Sequence, residues 1–308
     1  MESALILLLA LGIDLLFGEP SNRFHPVAWL GGLINLSVRW MPQGNLRQFL
    51  YGTAVVLLIT GIATTLSYLF VAWLMTINII AYIVVVAMLL KYTFSLRGLR
   101  QAAEGVKRQL QSDDAAGASG YLQALVSRDT SRLGREQMIS ATVESVAENS
   151  CDSYIAPLFY FLIFGLPGAV AYRVINTFDA MIGYHGRWEY AGKFAARLDD
   201  VVNYIPSRLS AMLLVLAAFI CRRCGKRAWQ CMVRDHAKTE SPNAGWTMSA
   251  MAGALGIRLE KSGHYVIGDG ANALTLRHID GSVSLLYCAA LIWTLLSAVG
   301  LVIYHAAA

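Results

Sequence analysis

QFLYGTAVVLLITGIATTLSYLFVAWLMTINIIAYIVVVAMLL, residues 48–90, contains no Asp, Glu, Lys, Arg or His. A run this long exceeds one crossing of a bilayer's hydrocarbon core and suits two, at about 20 residues each. Met75-Thr76-Ile77-Asn78 supplies the turn between them. Residues 281–304 form a second charge-free run, one crossing long. Ala4–Phe17 is shorter and carries Asp14. It has Glu2 where a signal peptide places basic residues, and no small-residue cleavage site, so it reads as a retained first helix. Of 308 residues, 56% are hydrophobic and 15% charged, against about 25% charged in soluble domains. These features predict an all-α polytopic integral membrane protein, a single embedded domain over residues 1–308. It should have about four full spans plus re-entrant or short membrane helices in the middle.

Lys and Arg crowd into two stretches, about residues 91–150 and 221–282, read as cytoplasmic helical insertions. The net charge of +5 mostly reflects this bias. No basic-plus-aromatic reader motif accompanies it, so nucleic acid is not an expected partner. Between these stretches lies Ser153–Tyr172, long enough to span but broken by Pro157 and Gly165-Leu166-Pro167-Gly168. Leu209–Cys221 is short for a span. Two full crossings would put 173–205 outside. A re-entrant hairpin over 154–182 would keep that charged segment inside, and is the preferred reading.

The polar residues of this apolar chain fall in clusters. Glu144, Glu148 and Asp152 recur at helical i, i+4 spacing and would stack on one face, just before a charge-free segment. Like charges so placed call for a shared cation or a metal–phosphate ligand, and at a membrane boundary mark a functional site. Asp14 precedes Gly18-Glu19-Pro20 and His25-Pro26-Val27. For Glu19 and His25, a capped helix end competes with catalysis. In Arg128-Asp129-Thr130, Asp129 or Thr130 could N-cap the helix bearing Glu144. Arg173, Asn176 and Asp179 lie broadly on one face, where an Arg–Asp ion pair is the plainer account. Lys193, Arg197 and Asp200 share a face, Asp199 and Asn203 another. Adjacent Asp residues here point to Mg2+, against a solvated amphipathic helix. Ser241-Pro242-Asn243 should start a helix, Ser241 at the N-cap and Pro242 at N1, its open N–H groups suiting an anion. Gly245, Ser249 and Gly253 would admit a second helix or a flat ligand. Residues 257–268, around Lys261-Ser262-Gly263, read as a short hairpin. Cys221, Cys224, Cys231 and His236 loosely suggest zinc, but no paired motif completes the site, so zinc is not expected.

Gly18-Glu19-Pro20…His25-Pro26-Val27, Arg128-Asp129-Thr130 and Val143-Glu144-Ser145-Val146-Ala147-Glu148-Asn149 occur in that order. Ala156-Pro157-Leu158-Phe159, Asn176–Tyr184, Ala196–Asp200 and Ser241–Gly245 follow. Together they make the chain resemble the CobD/CbiB family of cobalamin biosynthesis, adenosylcobinamide-phosphate synthases, from Asp14 to about Gly268. Ser127 and Ser153 replace a usual Gly and Ser207 a usual Ala, none of which removes a charge. The resemblance implies an integral membrane enzyme of the inner cell membrane with a cytoplasmic site. It implies ATP-dependent amide formation between adenosylcobyric acid and aminopropanol or its phosphate. Corrinoid, amino alcohol, ATP with Mg2+, lipid and other membrane enzymes of the pathway are the implied partners.

That chemistry needs an activated carboxylate, neutralisation of a transferring phosphoryl group and a base for the incoming amine. Glu19, His25 and Asp179 are the expected catalytic groups. Glu144, Glu148, Asp152, Asp199 and Asp200 are the expected metal ligands. Arg173, Lys193, Arg197 and Arg208 would meet phosphate or carboxylate; Asn149, Asn176, Asn203 and Asn243 would meet corrin amides. Glu148, Asp152, Asp199 and Asp200 are expected to converge, with the helix at Ser241 aimed at the same cavity. A transporter would predict an inverted repeat, which is not visible. A non-catalytic membrane sensor would have no need of the carboxylate clusters.

Overall fold

The computed structural model describes residues 2–126, 129–184, 186, 188–261, 263–270 and 273–307. Arg128 of the Arg128-Asp129-Thr130 motif, Ser127 and Ser262 lie outside the described residues. The elements run α1 (Glu2–Phe17), α2 (Pro26–Arg39), α3 (Asn45–Ile77), α4 (Ile79–Lys91), α5 (Leu96–Gln111), α6 (Ala115–Gln123) and α7 (Arg135–Ser150). A π-helical turn, Cys151–Ile155, leads into α8 (Ala156–Ile182), then α9 (Glu189–Val202), α10 (Tyr204–Ile220), α11 (Gly225–Asp235) and α12 (Ala244–Leu255). β1 (Leu259–Lys261) and β2 (Tyr265–Ile267) form the expected hairpin, antiparallel with Glu260 opposite Val266, and α13 (Leu276–Ala307) follows. The fold is all-α apart from this hairpin.

Four stretches are long and apolar enough to cross a membrane: Asn45–Ile77, Ile79–Gln111, Arg135–Ile182 and Leu276–Ala306. The protein is therefore a multi-pass membrane protein by the length and composition of its helices. The charge-free run divides where expected. Asn78 leaves helical geometry (φ −162°, ψ 133°), and its Oδ1 accepts the N–H groups of Ile80 and Ala81 at 2.8 and 3.2 Å. On α3, Leu57, Leu58, Ile62, Leu66 and Leu69 are exposed, as a lipid-facing surface requires.

The breaker cluster reverses the chain. Gly165 sits at φ 65°, ψ −159°, a backbone region open essentially to glycine alone. Pro167 then stands near the start of the second arm, where its missing N–H costs nothing. In a straight helix Tyr160 and Tyr172 would be about 18 Å apart. Instead their rings stack at 5.4 Å, and a Cβ on Gly168 would press on the Tyr160 carbonyl at 2.6 Å. α8 is thus a helical hairpin, in line with the re-entrant reading. α9 and α10, taken together as one broken span, raise the candidate crossings to 5.

The chain divides into two compact units, each discontinuous in sequence. Unit 1 comprises residues 1–95, 156–202 and 296–308. In it α1 packs on α4, and α3 on α8 and α9. Ile34, Val56, Val174, Phe178, Ile182 and Ala195 form its core. Close approach depends on glycine: a Cβ on Gly52 would overlap the Ala191 backbone, and one on Gly192 the Ile182 carbonyl. Unit 2 comprises residues 96–155 and 203–295 and so contains most of both basic insertions. α5 turns Leu96, Leu99, Ala103, Val106 and Leu110 inward at helical spacing. α12 packs on α7, α10 and α11. The small residues of α12 serve helix packing, since a Cβ on Gly253 would meet Ala228 and Cys231 of α11.

Three local expectations are corrected. α7 is preceded by Gly134, whose N–H donates to the Gln137 side chain at 2.9 Å. Asp129 instead accepts from Ser131 N, and the Thr130 hydroxyl pairs with Ser119, so neither caps the helix. The carboxylates do not all lie on one α-helix: α7 ends at Ser150, and Asp152 stands in the π-helical turn Cys151–Ile155. α12 starts at Ala244 rather than Pro242. Ser241 Oγ accepts Asn243 N at 3.3 Å and the Ser241 carbonyl accepts from Thr239 at 2.7 Å, closing a turn before the helix.

Gly165→Ala should destabilise the protein by about 1–3 kcal/mol, the cost of a side chain in this backbone region. Unfolding in detergent should report the loss as a lower Tm, while Gly12→Ala, where a Cβ meets nothing, should not.

Candidate functional site

In unit 1, the loop after α1 meets the end of α4. Lys91 is almost wholly buried, at 2% exposure, beside Asp14 at 0%. Its Nζ lies 3.6 Å from Asp14 Oδ1 and 2.7 Å from Glu19 Oε2. The same Glu19 oxygen is 2.7 Å from His25 Nε2. His25 Nδ1 accepts the Val27 N–H at 3.2 Å and so N-caps α2. A ring nitrogen accepting from backbone carries no proton, which leaves Nε2–H to donate to Glu19. Both ring nitrogens are engaged, so a base role for His25 requires Nδ1 to be released from the Val27 N–H. Burial pushes the Glu19 carboxyl up, but hydrogen bonds from His25, Lys91 and Ser95, with the Lys91 charge, outweigh it and bring it down to about 2.

Also in unit 1, α8 and α9 align a cation, an amide and a carboxylate. Arg173 Nη1 donates to Asn176 Oδ1 at 3.4 Å, and Asn176 Nδ2 donates to Asp199 Oδ1 at 3.3 Å. Asp199 is buried. Asp200, the next residue, points elsewhere, as successive helical residues must. Its Oδ2 is 4.0 Å from Arg197 Nη1, an exposed pair of small energetic weight. Lys193 is exposed on the same helix. The Asp179 carboxylate lies against Gly183, leaving no space for a Cβ there.

In unit 2, Glu144 is buried and both its oxygens accept hydroxyls, from Ser140 at 2.6 Å and from Tyr265 at 2.8 Å. Glu148 is exposed and Asp152 half-buried. Asn149 donates to the Ser145 carbonyl and accepts from Ser153 at 2.8 Å, fastening α7 to the π-helical turn. Asn203 accepts the Cys151 thiol at 3.7 Å. Asn243 Oδ1 turns to Ser207 and Arg208 at 3.2 and 3.3 Å rather than to its own helix. The Arg208 guanidinium carbon is 3.5 Å from the Tyr204 ring centroid and 4.8 Å from that of Trp246. An arginine sandwiched between aromatic faces keeps its planar edge oriented.

Of the residues expected to act, Arg173, Asn176 and Asp199 stand together, as do Glu19 with His25 and Arg208 with Asn243. Glu148 and Asp152 belong to unit 2, Asp199 and Asp200 to unit 1. Among the described residues no group of three or more His, Cys, Asp or Glu side chains is spaced to hold a metal. Mg2+ needs less, one or two carboxylates plus phosphate oxygens and water, a demand that Asp199 alone would meet, since Asp200 points elsewhere. Cys231 donates to buried Asp235 at 3.4 Å, and burial foremost pushes its thiol up to about 12. In the sequence Lys91 stands among the basic residues of the 91–150 stretch. Its sole sequence signal is its place as the first charge after the 48–90 run. Tyr204 and Trp246 carried no signal apart from their nearness to Arg208 and Asn243.

The folded-state pKa of Glu19 lies below its ordinary value. Its stabilising contribution is therefore complete above about pH 4.5 and lost as pH falls towards about 2. Glu19→Gln should flatten the acid limb of Tm against pH. Lys91→Met, which takes the ammonium away from Asp14 and Glu19, should cost about 3–5 kcal/mol at neutral pH. Adding Asp14→Asn to it should recover part of that loss in the same thermal scans.

The profile described as CobD/Cbib protein matches residues 7–286. A protein of Dehalococcoides mccartyi named "Cobalamin biosynthesis protein CobD" is 51% identical over 307 residues, 99% of each chain. A "Probable cobalamin biosynthesis protein CobD" of Methanothermobacter thermautotrophicus is 40% identical over 97% of this chain and 98% of its own. One of Methanococcus aeolicus is 38% identical over 88% of this chain and 89% of its own. No solved structure matches significantly. With the family profile covering nearly its whole length, the chain belongs to the CobD/CbiB family of cobalamin biosynthesis proteins.

Proposed function

We propose that the protein is an ATP-dependent amide ligase that joins adenosylcobyric acid to aminopropanol or its phosphate. The observation that carries this reading is the Arg173–Asn176–Asp199 alignment between α8 and α9. Activating a carboxylate with ATP requires a cation for the phosphoryl oxygens and a carboxylate for the accompanying Mg2+. Arg173 and Asp199 offer both, and Asn176 holds each in place. Asp200, Arg197 and Lys193 on α9 add charge of both signs beside them. Within unit 2 taken by itself, Asn243 beside Arg208 is assigned to an amide and an acidic group of a ligand, while Asn149 and Asn203 are already bonded to Ser145, Ser153 and Cys151.

Base chemistry falls to Glu19, His25 or Asp179. Glu19 accepts the His25 Nε2–H and so orients the ring, and Nδ1 is the nitrogen that would take a proton once the Val27 N–H releases it. The Asp179 carboxylate rests against Gly183, which has no Cβ to displace it. The active site faces the cytoplasm of the inner membrane, where ATP is, and other membrane enzymes of the pathway would hand on the corrinoid.

Purified protein in detergent should form ADP only when both the corrinoid acid and the amino alcohol are present. ADP formation without either, or none with both, would contradict the ligase. Asp199→Asn should cut kcat about 10²-fold or more, in the range for lost electrostatic support of a transferring group, with its fold retained by circular dichroism.

Sidedness can be read separately. A single cysteine at Tyr190, exposed on α9, in a cysteine-free background should resist an impermeant reagent added to intact cells. Labelling from outside would overturn the cytoplasmic placement. Ala191 is unsuitable for this test because it is buried against Gly52.

A further inference from the structure

Within unit 2 a cavity of about 720 Å³ opens at the start of α13, and none of the groups discussed above lines it. Three arginines do, Arg135 from α7, Arg223 from the turn after α10 and Arg277 from α13, together with His278. No Asp or Glu is among its lining residues. Arg135 reaches the Leu110 carbonyl and the highly exposed Asp113. Among the described residues neither Arg223 nor Arg277 makes an ion pair. The Arg223 guanidinium lies near the first turns of α13, 3.5 Å from where a Gly281 Cβ would be. Positive side chains at a helix N-terminus are opposed by the helix dipole and by one another. An anion in the cavity removes both penalties. His278 Nδ1 accepts the Thr275 N–H at 3.0 Å, which caps the helix and fixes the ring at the cavity wall. Ile139 and Leu255 supply apolar wall, and the volume lies within the ~300–1,000 Å³ of small-molecule sites.

We infer that this cavity binds a phosphate-bearing anion, held by Arg135, Arg223 and Arg277. Arginine forks match phosphate oxygens two at a time, and three forks from three elements suit a polyphosphate. A nucleoside triphosphate and an anionic phospholipid headgroup present the same chemistry, and α13 is itself a candidate span, so both sources are tested. The nucleotide source rests on the ligase reading above; the binding measurement does not.

The experiment is thermal unfolding and titration calorimetry of delipidated protein in neutral detergent, without corrinoid. ATP and phosphatidylglycerol are added in separate arms. Wild type should be stabilised by at least one of them, less so at high salt. Arg223→Gln and Arg277→Gln should each weaken that binding about ten- to hundred-fold, the expected loss of a charge-assisted contact. Lys226→Gln, an exposed neighbour, should not. An ATP response identifies a nucleotide site; a response to lipid alone identifies a headgroup site. No response to either, or one that both arginine variants retain, overturns the proposal. ATP binding that depends on these arginines, in a protein that forms no ADP with both substrates, would sink the ligase reading and leave the site standing.

Discussion

A lysine ammonium withdrawn from water must have carboxylates within reach, and Lys91 has two. The cost of burying it, several kcal/mol for an unpaired ion, makes the start of the chain and the end of the charge-free run mutually dependent. Asp14 sits on α1 and Lys91 ends α4, so the ion pair fixes the register of one helix on the other. Glu19 and His25 then inherit their position: the carboxylate is drawn to the ammonium, the imidazole to the carboxylate. His25 in turn caps α2, which packs on α8. The residues most suggestive of acid–base chemistry in unit 1 are therefore held by an electrostatic anchor rather than by hydrophobic packing.

The membrane character and the helical hairpin were legible because they follow from local rules. Absence of charge over 48–90 and a Gly-Leu-Pro-Gly breaker each have few structural outcomes. Asn78 did what an N-cap residue between two apolar helices does. The π-helical turn was not legible, since Cys151–Ile155 has a sequence any α-helix would accept. It ends α7 before Asp152. The start of α12 was misplaced because Ser241 capped a turn instead of the helix. In the site, spacing paired Arg173 with Asn176, but only packing of α9 on α8 could bring in Asp199. Lys91 was hidden for the opposite reason: a lysine at the end of a span ordinarily reaches for water.

The amide groups divide in function by what already engages them. Asn149 is committed to its own helix and the following turn, whereas Asn176 and Asn243 each bridge an arginine to a second group. Such bridges hold a cation in place while leaving part of its fork open. The pattern recurs in both units, with Arg173 in one and Arg208 in the other. Arg208 adds aromatic faces that exclude water from one side, which strengthens whatever charge it meets.

Neither unit is a continuous stretch of chain. The polypeptide passes from one to the other at 95–96, 155–156, 202–203 and 295–296. During synthesis the first 95 residues emerge without α8 and α9, the helices that bury Gly52 and Val56. α3 must then wait in the membrane with an incomplete partner surface until more than a hundred further residues have been made. No cut of the gene into two contiguous halves yields either unit whole. The order of translation is thus a folding constraint of its own, and long sequence separation makes these contacts slow to form.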